Sequence, residues 1–172
     1  RVTSLGAESR AVSTRIESKD AYQYAGNTVT VSWWAKLGTG TGTTGCAINL
    51  PGAEDNFSST TLTHNFSSVG TANTTWQKFS VSFVLDAGAV NGFQITINVG
   101  GGATGACKFT GMQCELGSVA TPFEHRPYGL EWSLCRRYYR RLSGSSGTPF
   151  GSGTNISTTQ AIAYVIFTNP MR

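Results

Sequence analysis

Strict alternation of apolar and polar residues is the feature that most limits what this chain can fold into. In residues 28–36, TVTVSWWAK, the odd positions are all apolar and the even ones are mostly polar. Residues 11–18, 76–85 and 92–100 repeat the pattern. Successive side chains of a β-strand point to opposite faces, so each segment predicts a half-buried antiparallel strand. We therefore expect an all-β antiparallel β-sandwich, which buries the apolar faces of such strands together.

The alternation changes face inside a further strand, predicted over 106–116. Phe109 stands at an odd position, whereas Met112 and Cys114 stand at even ones. One inserted residue that swaps the faces of a strand is a β-bulge, and glycine inside a strand commonly marks one. We therefore expect a bulge near Gly111.

Segments rich in glycine, serine and threonine separate the alternating ones. Residues 36–45, 51–61 and 67–75 are predicted as loops on this basis. Further along, apolar residues spaced by four favour a short helix from about Tyr128 to Tyr138. Pro127 stands just before it, where proline suits the start of a helix.

The C-terminal residues predict a linker followed by a strand. Residues 143–155 are predicted as a linker. Residues 158–167, TTQAIAYVIF, predict a strand that is apolar on both faces and needs cover on both. The predicted domains are 1–142, a sandwich with a closing helix, and 143–172, a linker and the first strand of a C-terminal region.

Charge is sparse and unevenly placed. Only 13% of the residues are charged, which gives weak protection against association and favours a part of an assembly. Residues 1–125 carry seven Lys and Arg against eight Asp and Glu, a net of −1, while residues 126–141 carry five Arg against one Glu, a net of +4. A nucleic-acid-binding face needs basic residues spread over one surface, so nucleic acid is not predicted as a partner.

Residues that carry catalysis or hold metals are few. The sequence has no GxSxG, P-loop, HExxH or dinucleotide-binding glycine motif, so no enzyme is predicted. Its four cysteines lack CxxC spacing, so no zinc site and no cofactor are predicted. They are interpreted as buried free thiols, with a disulfide framework as the alternative. Glu54, Asp55 and Asn56 could bind a structural calcium ion, with solvated loop charges as the simpler interpretation.

No apolar run is long enough to span a membrane.

Trp34 is the first candidate binding residue, because it places an indole on the polar face of its strand. Such an indole can stack on a sugar ring, anchor a protein interface, or pack beneath a second layer such as the C-terminal segment. Tyr22 and Tyr24 are further candidates for the sugar or interface role. His64 is a fourth candidate, with a polar structural position as its alternative.

Arginines flank two tyrosines in the segment CRRYYRR. Single-stranded nucleic-acid binders use such mixtures, but the same residues also suit ion pairs and stacking within a protein or between subunits. Intersubunit contact therefore remains an alternative to docking within the chain. We interpret five residues as structural docking residues: Arg136, Arg137, Tyr138, Tyr139 and Arg140.

The alternating strands and the motif at 115–141, ELGSVATPFEHRPYGLEWSLCRRYYRR, together resemble a module of bacteriophage tail-fibre and other virion appendage proteins. That module is similar to jelly-roll carbohydrate-binding modules, and the resemblance covers about residues 10–142. The resemblance implies a jelly-roll sandwich, a place in the phage particle after assembly in the host cytoplasm, and other virion proteins as partners. The end of the chain, AIAYVIFTNPMR, resembles the first strand of the region that follows the sandwich in this family, so the chain is expected to be truncated, ordered only to here, or unusually short. The resemblance supplies no fixed set of binding residues.

The predicted function is that of a non-enzymatic virion structural protein of a tail fibre or similar appendage, which attaches to a bacterial surface glycan. The first alternative is a purely structural capsid- or tail-decorating module without a ligand. The second is a glycan depolymerase or lyase. A homo-oligomer is expected, a trimer by analogy with fibres, without membrane insertion.

Overall fold

The structure is a computed structural model that describes residues 2–4, 10–100, 104–125, 127–136, 152–159 and 161–164. The strands are β1 Val2–Ser4, β2 Arg10–Ile16, β3 Thr28–Thr39, β4 Gly42–Pro51, β5 Thr60–Ala72, β6 Gln77–Val84, β7 Phe93–Gly100, β8 Thr104–Leu116, β9 Ser152–Asn155 and β10 Ala161–Tyr164. The helices are α1 Ser18–Ala21, a 3-10 turn at Ala87–Asn91, and α2 Tyr128–Cys135. The elements fall into two compact units, Arg1–Phe123 and Glu124–Arg172. The predicted domains 1–142 and 143–172 stay predictions.

Eight strands of the first unit form two four-stranded antiparallel sheets. Sheet 1 has the order β1-β8-β3-β6, and sheet 2 has the order β2-β7-β4-β5. The first strands of the unit therefore pair with its last ones, and strands from the middle complete each sheet. This order is that of the jelly roll, in which two Greek keys form two packed sheets. The predicted all-β jelly-roll sandwich with one short helix near its C-terminal end is confirmed.

The core lies between the sheets and is built from the alternating apolar residues. The four predicted segments form β2, β3, β6 and β7, and every second side chain of β7 is buried. Trp33 and Phe93 are the largest fully buried side chains. The indole Nε1 of Trp33 donates to Thr44 Oγ1 at 3.2 Å, and that hydroxyl donates to the main-chain oxygen of Asn98 at 2.9 Å. The polar groups of these core side chains are thus paired, as burial requires.

The predicted bulge is confirmed at Gly111. Against β8, a single residue of β3, Trp33, faces two residues, Gly111 and Met112. Gly111 has a φ of +57°, in the left-handed region that favours glycine. The extra residue brings Met112 and Cys114 to the core side of the strand, where Phe109 already lies.

Parts of β3, β4 and β5 fall on segments predicted as loops, 36–45 and 67–75, and those predictions are wrong there. The segments are rich in glycine, serine and threonine, which also form turns. In the structure a small residue serves strand packing instead, since a Cβ on Gly45 would lie 2.6 Å from the main-chain oxygen of Phe66 on β5. Close approach of two strands, rather than a turn, accounts for that glycine.

The second unit contains α2 and a hairpin. Helix α2 begins after Pro127, as predicted, and ends at Cys135, while the last residues of the predicted helix lie outside the described residues. Strand β9 pairs antiparallel with β10. The last four residues of the predicted linker form β9, and β10 lies within the strand predicted over 158–167. Within the described residues, no helix has the length and apolar character that crossing a membrane requires.

Candidate binding face

Residues 117–123, GSVATPF, cross back over the outer side of sheet 1, and we call this segment the strap. The hydroxyl of Thr30 donates to the main-chain oxygen of Gly117 at 2.7 Å. Thr30 and Ser32 are buried, although both stand at outward positions of β3. The strap therefore covers the first half of the outer face of β3 and closes it to a ligand.

Thr121 anchors the strap to sheet 1. Its main-chain nitrogen donates to Glu115 Oε2 at 3.1 Å and its hydroxyl donates to Oε1, while Gln113 Nε2 donates to that hydroxyl at 3.1 Å. Lys78 Nζ donates to the main-chain oxygen of Thr121 at 2.9 Å. Desolvation opposes the charged carboxylate, but hydrogen bonds from Thr121 and Gln113 and the charge of Lys78 outweigh it and lower the pKa of Glu115. Glu115 and Thr121, which belong to the motif at 115–141, thus bind the strap to sheet 1.

Beyond the strap, the outer face of β3 is open and presents Trp34. The side chain of Trp34 is 36% exposed. Its Cδ1 atom lies 3.0 Å from the position that a Cβ on Gly111 would take, and the ring of Phe123 at the end of the strap lies 3.7 Å from the same position. The indole of Trp34 therefore packs against the bulge, in space that a side chain at position 111 would occupy.

Four more side chains lie beside Trp34 on this open half. Trp34 pairs with Lys78 of β6, and Lys36 pairs with Lys108 of β8. Trp76, immediately before β6, is 40% exposed, and the ammonium of Lys36 lies 5.4 Å from the centroid of its ring. That distance is typical of a cation–π contact. We call these five residues the Trp–Lys face.

The charge of the Trp–Lys face has one sign. It holds three of the four lysines in the chain. The only acid on the strands of sheet 1 is Glu115, which the strap engages. Among the described residues, no carboxylate lies within ion-pair distance of Lys36 or Lys108. Positive charge is therefore concentrated at this end of the sheet, although like charges opposite each other on neighbouring strands repel.

Sequence reasoning found Trp34 and missed the other four residues. Lys36 is visible in the alternation, because it stands two residues after Trp34 and therefore on the same side. Lys108 and Trp76 join the face through the register of β8 and β6 against β3. These pairings link distant parts of the chain, and alternation within one strand does not specify its neighbour.

The two predicted tyrosines lie at the other end of β3. Tyr22 and Tyr24 precede that strand, whereas Trp34 stands six residues beyond its first residue, Thr28, which is about 20 Å along a strand. Tyr22 is exposed, but Tyr24 is half-buried and its ring makes an edge contact with Phe93 at 5.9 Å. The structure does not bring these residues together with Trp34.

His64 lies on β5 at the edge of sheet 2. Its ring centroid is 4.8 Å from that of Phe83 and 6.0 Å from that of Phe66. Its Nδ1 lies 3.5 Å from a carboxylate oxygen of Asp86. His64 therefore packs among aromatic rings that bridge the edges of the two sheets, and it is not part of the Trp–Lys face.

Of the predicted docking residues, Arg136 is the one that the structure describes. Its guanidinium carbon lies 5.9 Å from the ring centroid of Trp132, one turn earlier on α2. The other four lie outside the described residues: Arg137, Tyr138, Tyr139 and Arg140. Their docking role stays a prediction.

The residues considered for calcium use their oxygens within the fold. Asp55 Oδ1 accepts a hydrogen bond from the main chain of Ser18 at 2.7 Å, and Glu54 Oε1 accepts one from its hydroxyl at 2.9 Å. Asn56 Oδ1 accepts from the main chain of Ser58 at 3.2 Å. Within the described ranges, no three His, Cys, Asp or Glu side chains are grouped so that they could hold a metal ion.

The outer face of sheet 2 has a different character. Its strands contain no tryptophan. The hydroxyls of Ser13 and Thr96 lie 2.9 Å apart, and Arg15 Nε donates to Gln94 Oε1 at 3.1 Å. The guanidinium of Arg15 also lies 5.1 Å from the ring centroid of Phe57. These polar side chains interact with one another, so this face offers fewer open groups for a ligand than the Trp–Lys face does.

No protein-family model and no curated protein matches this chain. Among solved structures, a CBM4 carbohydrate-binding module aligns at 20% identity with a TM-score of 0.46, over 62% of this chain and 61% of the other. The CBM22-2 xylan-binding domain of Paenibacillus barcinonensis Xyn10C aligns at 17% identity with a TM-score of 0.43, over 54% and 64% of the two chains. Its CBM22-1 domain aligns at 14% identity with a TM-score of 0.43, over 69% and 72%. This chain thus spans less than two thirds of the first two structures, and its ligand has to be inferred from its own residues.

Proposed function

We propose that this chain is a non-catalytic glycan-binding module of a bacteriophage tail fibre or similar virion appendage, and that it attaches to a host-surface glycan through the Trp–Lys face. The observation that carries the proposal is the pair of exposed indoles, Trp34 and Trp76, on the open half of sheet 1. An indole offers a flat apolar surface with a polar edge, which suits a sugar ring with its apolar face and hydroxyl groups. Exposed apolar groups with a polar rim mark binding sites.

The Trp–Lys face is also held in place before a ligand arrives. Trp34 stands on β3, which is flanked by β8 and β6, and its indole is seated on Gly111. Trp76 is in contact with Lys36. Groups on rigid strands lose less conformational entropy on binding than groups on loops. A single open face binds weakly, and repeated copies in an appendage would raise the apparent affinity.

The binding part of the proposal is tested with the full chain displayed on a multimerising carrier and applied to an array of bacterial surface glycans. Trp34→Ala and Trp76→Ala should each weaken binding by about tenfold, because each removes a stacking surface. Trp132→Ala is the matched control, since it removes an exposed indole from the second unit. The proposed attachment to a host-surface glycan is wrong if the displayed chain binds no glycan on the array and does not label bacterial cells. Shortening of a bound glycan would show an enzyme instead.

The virion placement is supported by the resemblance of residues 115–141 and the strands to tail-fibre modules. A virion component is retained when particles are purified. Mass spectrometry of particles from cells that encode the chain should therefore detect it. Detection in the cell lysate but not in the particles would contradict the placement and leave glycan binding to be judged by the array.

A second candidate function is assembly without a ligand, which the apolar character of α2 favours. Four large apolar side chains of this helix are exposed: Tyr128, Leu130, Trp132 and Leu134. Subunit contacts commonly cover such surfaces. In this case Trp132→Ala should lower the oligomer mass measured by light scattering, and Trp34→Ala should leave it unchanged. The reverse result would make the Trp–Lys face the subunit contact.

A further inference from the structure

We infer that the Trp–Lys face selects acidic glycans, binding sugar units that carry carboxylate groups in preference to neutral ones. This inference rests on the proposed glycan-binding function and names the class of ligand for the same face. The observation behind it is the placement of the lysines, because stacking of a neutral sugar on the indoles does not require positive charge.

The row formed by Lys36 and Lys108 lies beside the row formed by Trp34 and Thr110. The two rows are two residues apart along β3, which is about 7 Å and comparable with the length of one sugar unit. A sugar ring stacked on Trp34 would therefore place a substituent at the lysine row. Ammonium groups attract carboxylates, and each acts there as a compact point charge.

The lysine row is a poor arrangement for the protein alone. Lys36 and Lys108 face each other directly across β3 and β8, and like charges so placed destabilise a sheet. Among the described residues, no carboxylate is close enough to pair with either ammonium. A bound anion would relieve this repulsion, so the charge of the face complements an acidic ligand.

Nucleic acid would also carry negative charge, but this face suits it less well. Tight binding to a phosphate backbone uses many basic contacts along an extended track. Sheet 1 contributes three lysines and no arginine from its strands, and Lys78 already donates to the strap. Two lysines beside indoles fit better a polymer that carries a carboxylate on every sugar unit or on every second one.

The test uses the folded full chain and three carboxylated polymers: polygalacturonate, alginate and hyaluronate. Each is compared with its own carboxyl-reduced form, in which the carboxylate has become an alcohol. We expect binding of at least one carboxylated polymer to be about tenfold tighter than binding of its reduced form, and to weaken as added salt screens the attraction between the lysines and the carboxylates.

Variants separate the lysine row from general charge. Lys36→Gln combined with Lys108→Gln should remove the roughly tenfold preference, while Trp34→Ala should weaken binding of both forms. Arg15→Gln combined with Lys19→Gln removes the same charge elsewhere in the first unit and should retain the preference. Equal losses in the two double variants would show unspecific attraction and overturn the inference.

The remaining outcomes each decide the question. Equal binding of native and reduced polymers would overturn the acidic preference while leaving the proposed glycan binding in place. Binding to none of the three carboxylated polymers would overturn the inference, and a negative glycan array as well would overturn the proposed function. Tighter binding to oligothymidine than to every polymer would identify a nucleic-acid-binding face and overturn both.

Discussion

The Cδ1 atom of Trp34 lies 3.0 Å from the point where a Cβ on Gly111 would stand. Gly111 also has a φ of +57°, so the bulge needs glycine both for its backbone and for the indole against it. We expect Gly111→Ala to lower the free energy of unfolding by about 1 to 3 kcal/mol, because it adds backbone strain and displaces the indole. Urea unfolding followed by circular dichroism measures this loss.

Gly26→Ala is the control that separates strain from displacement. Gly26 has a φ of +73°, and nothing lies within 4 Å of its added Cβ. Its replacement therefore introduces backbone strain alone. Gly111→Ala should destabilise the fold more than Gly26→Ala and should be the one that weakens glycan binding. Equal effects of the two variants would mean that Trp34 does not depend on the bulge for its position.

A buried pair at the centre of the sandwich gives a second prediction. The hydroxyl of Thr44 accepts the indole N–H of Trp33 at 3.2 Å, in surroundings where both side chains are fully buried. Thr44→Val keeps the shape but leaves that N–H without an acceptor, which should cost about 1 to 3 kcal/mol of unfolding free energy. Thr43→Val, at the neighbouring half-buried position, should change it by less than about 0.5 kcal/mol. Equal unfolding midpoints for the two variants would contradict the prediction.

The strap makes stability depend on pH through Glu115. Because the pKa of Glu115 is lower in the folded chain, this group contributes stability above the ordinary glutamate pKa of about 4.3 and loses it as the pH falls through its folded pKa. Glu115→Gln should therefore be less stable than the native chain at neutral pH, with a difference that shrinks in acid. If the stability difference between the native chain and Glu115→Gln stays constant from neutral pH into acid, the ionisation of Glu115 does not stabilise the fold.

Thr121→Val checks the cause of that shift. It removes the hydroxyl that donates to Glu115, so the pKa of Glu115 should rise toward its ordinary value. Carboxyl chemical shifts followed by NMR during a titration measure the pKa directly. An unchanged value would assign the shift to Lys78, Gln113 or the main-chain N–H of Thr121, which the variant keeps, instead of the Thr121 hydroxyl.

Much of the fold follows from the sequence because its signals are local. The alternation in β2, β3, β6 and β7 needs no knowledge of other strands, and Gly111 marks the bulge within β8 itself. β4 and β5 were not predicted as strands, because glycine, serine and threonine serve both turns and closely packed strands. Gly45, for example, is explained by the main chain of Phe66, which is distant in the sequence.

The candidate site divides in the same way. Trp34 breaks the alternation of its own strand and can be found from the sequence. Lys36 faces Lys108 because β3 pairs with β8. Lys36 contacts Trp76 because the residue before β6 lies beside β3. The sequence also placed the charge of the chain mainly in residues 126–141, and it could not show that three separate lysines share one face.

The cysteines give a last prediction, about chemical reactivity. Burial raises the pKa of both Cys46 and Cys114 to about 12. Cys135 is exposed, so the prediction of a buried thiol is wrong there. The thiolate is the reactive form, and near pH 8 a thiol with such a pKa is ionised in about one molecule in ten thousand. A thiol reagent should therefore modify Cys135 quickly in the folded chain, and Cys46 and Cys114 at the rate of unfolding. Peptide mass spectrometry identifies each site, Cys135→Ser should remove the fast phase, and fast modification of Cys114 would show that the edge of the core opens without unfolding.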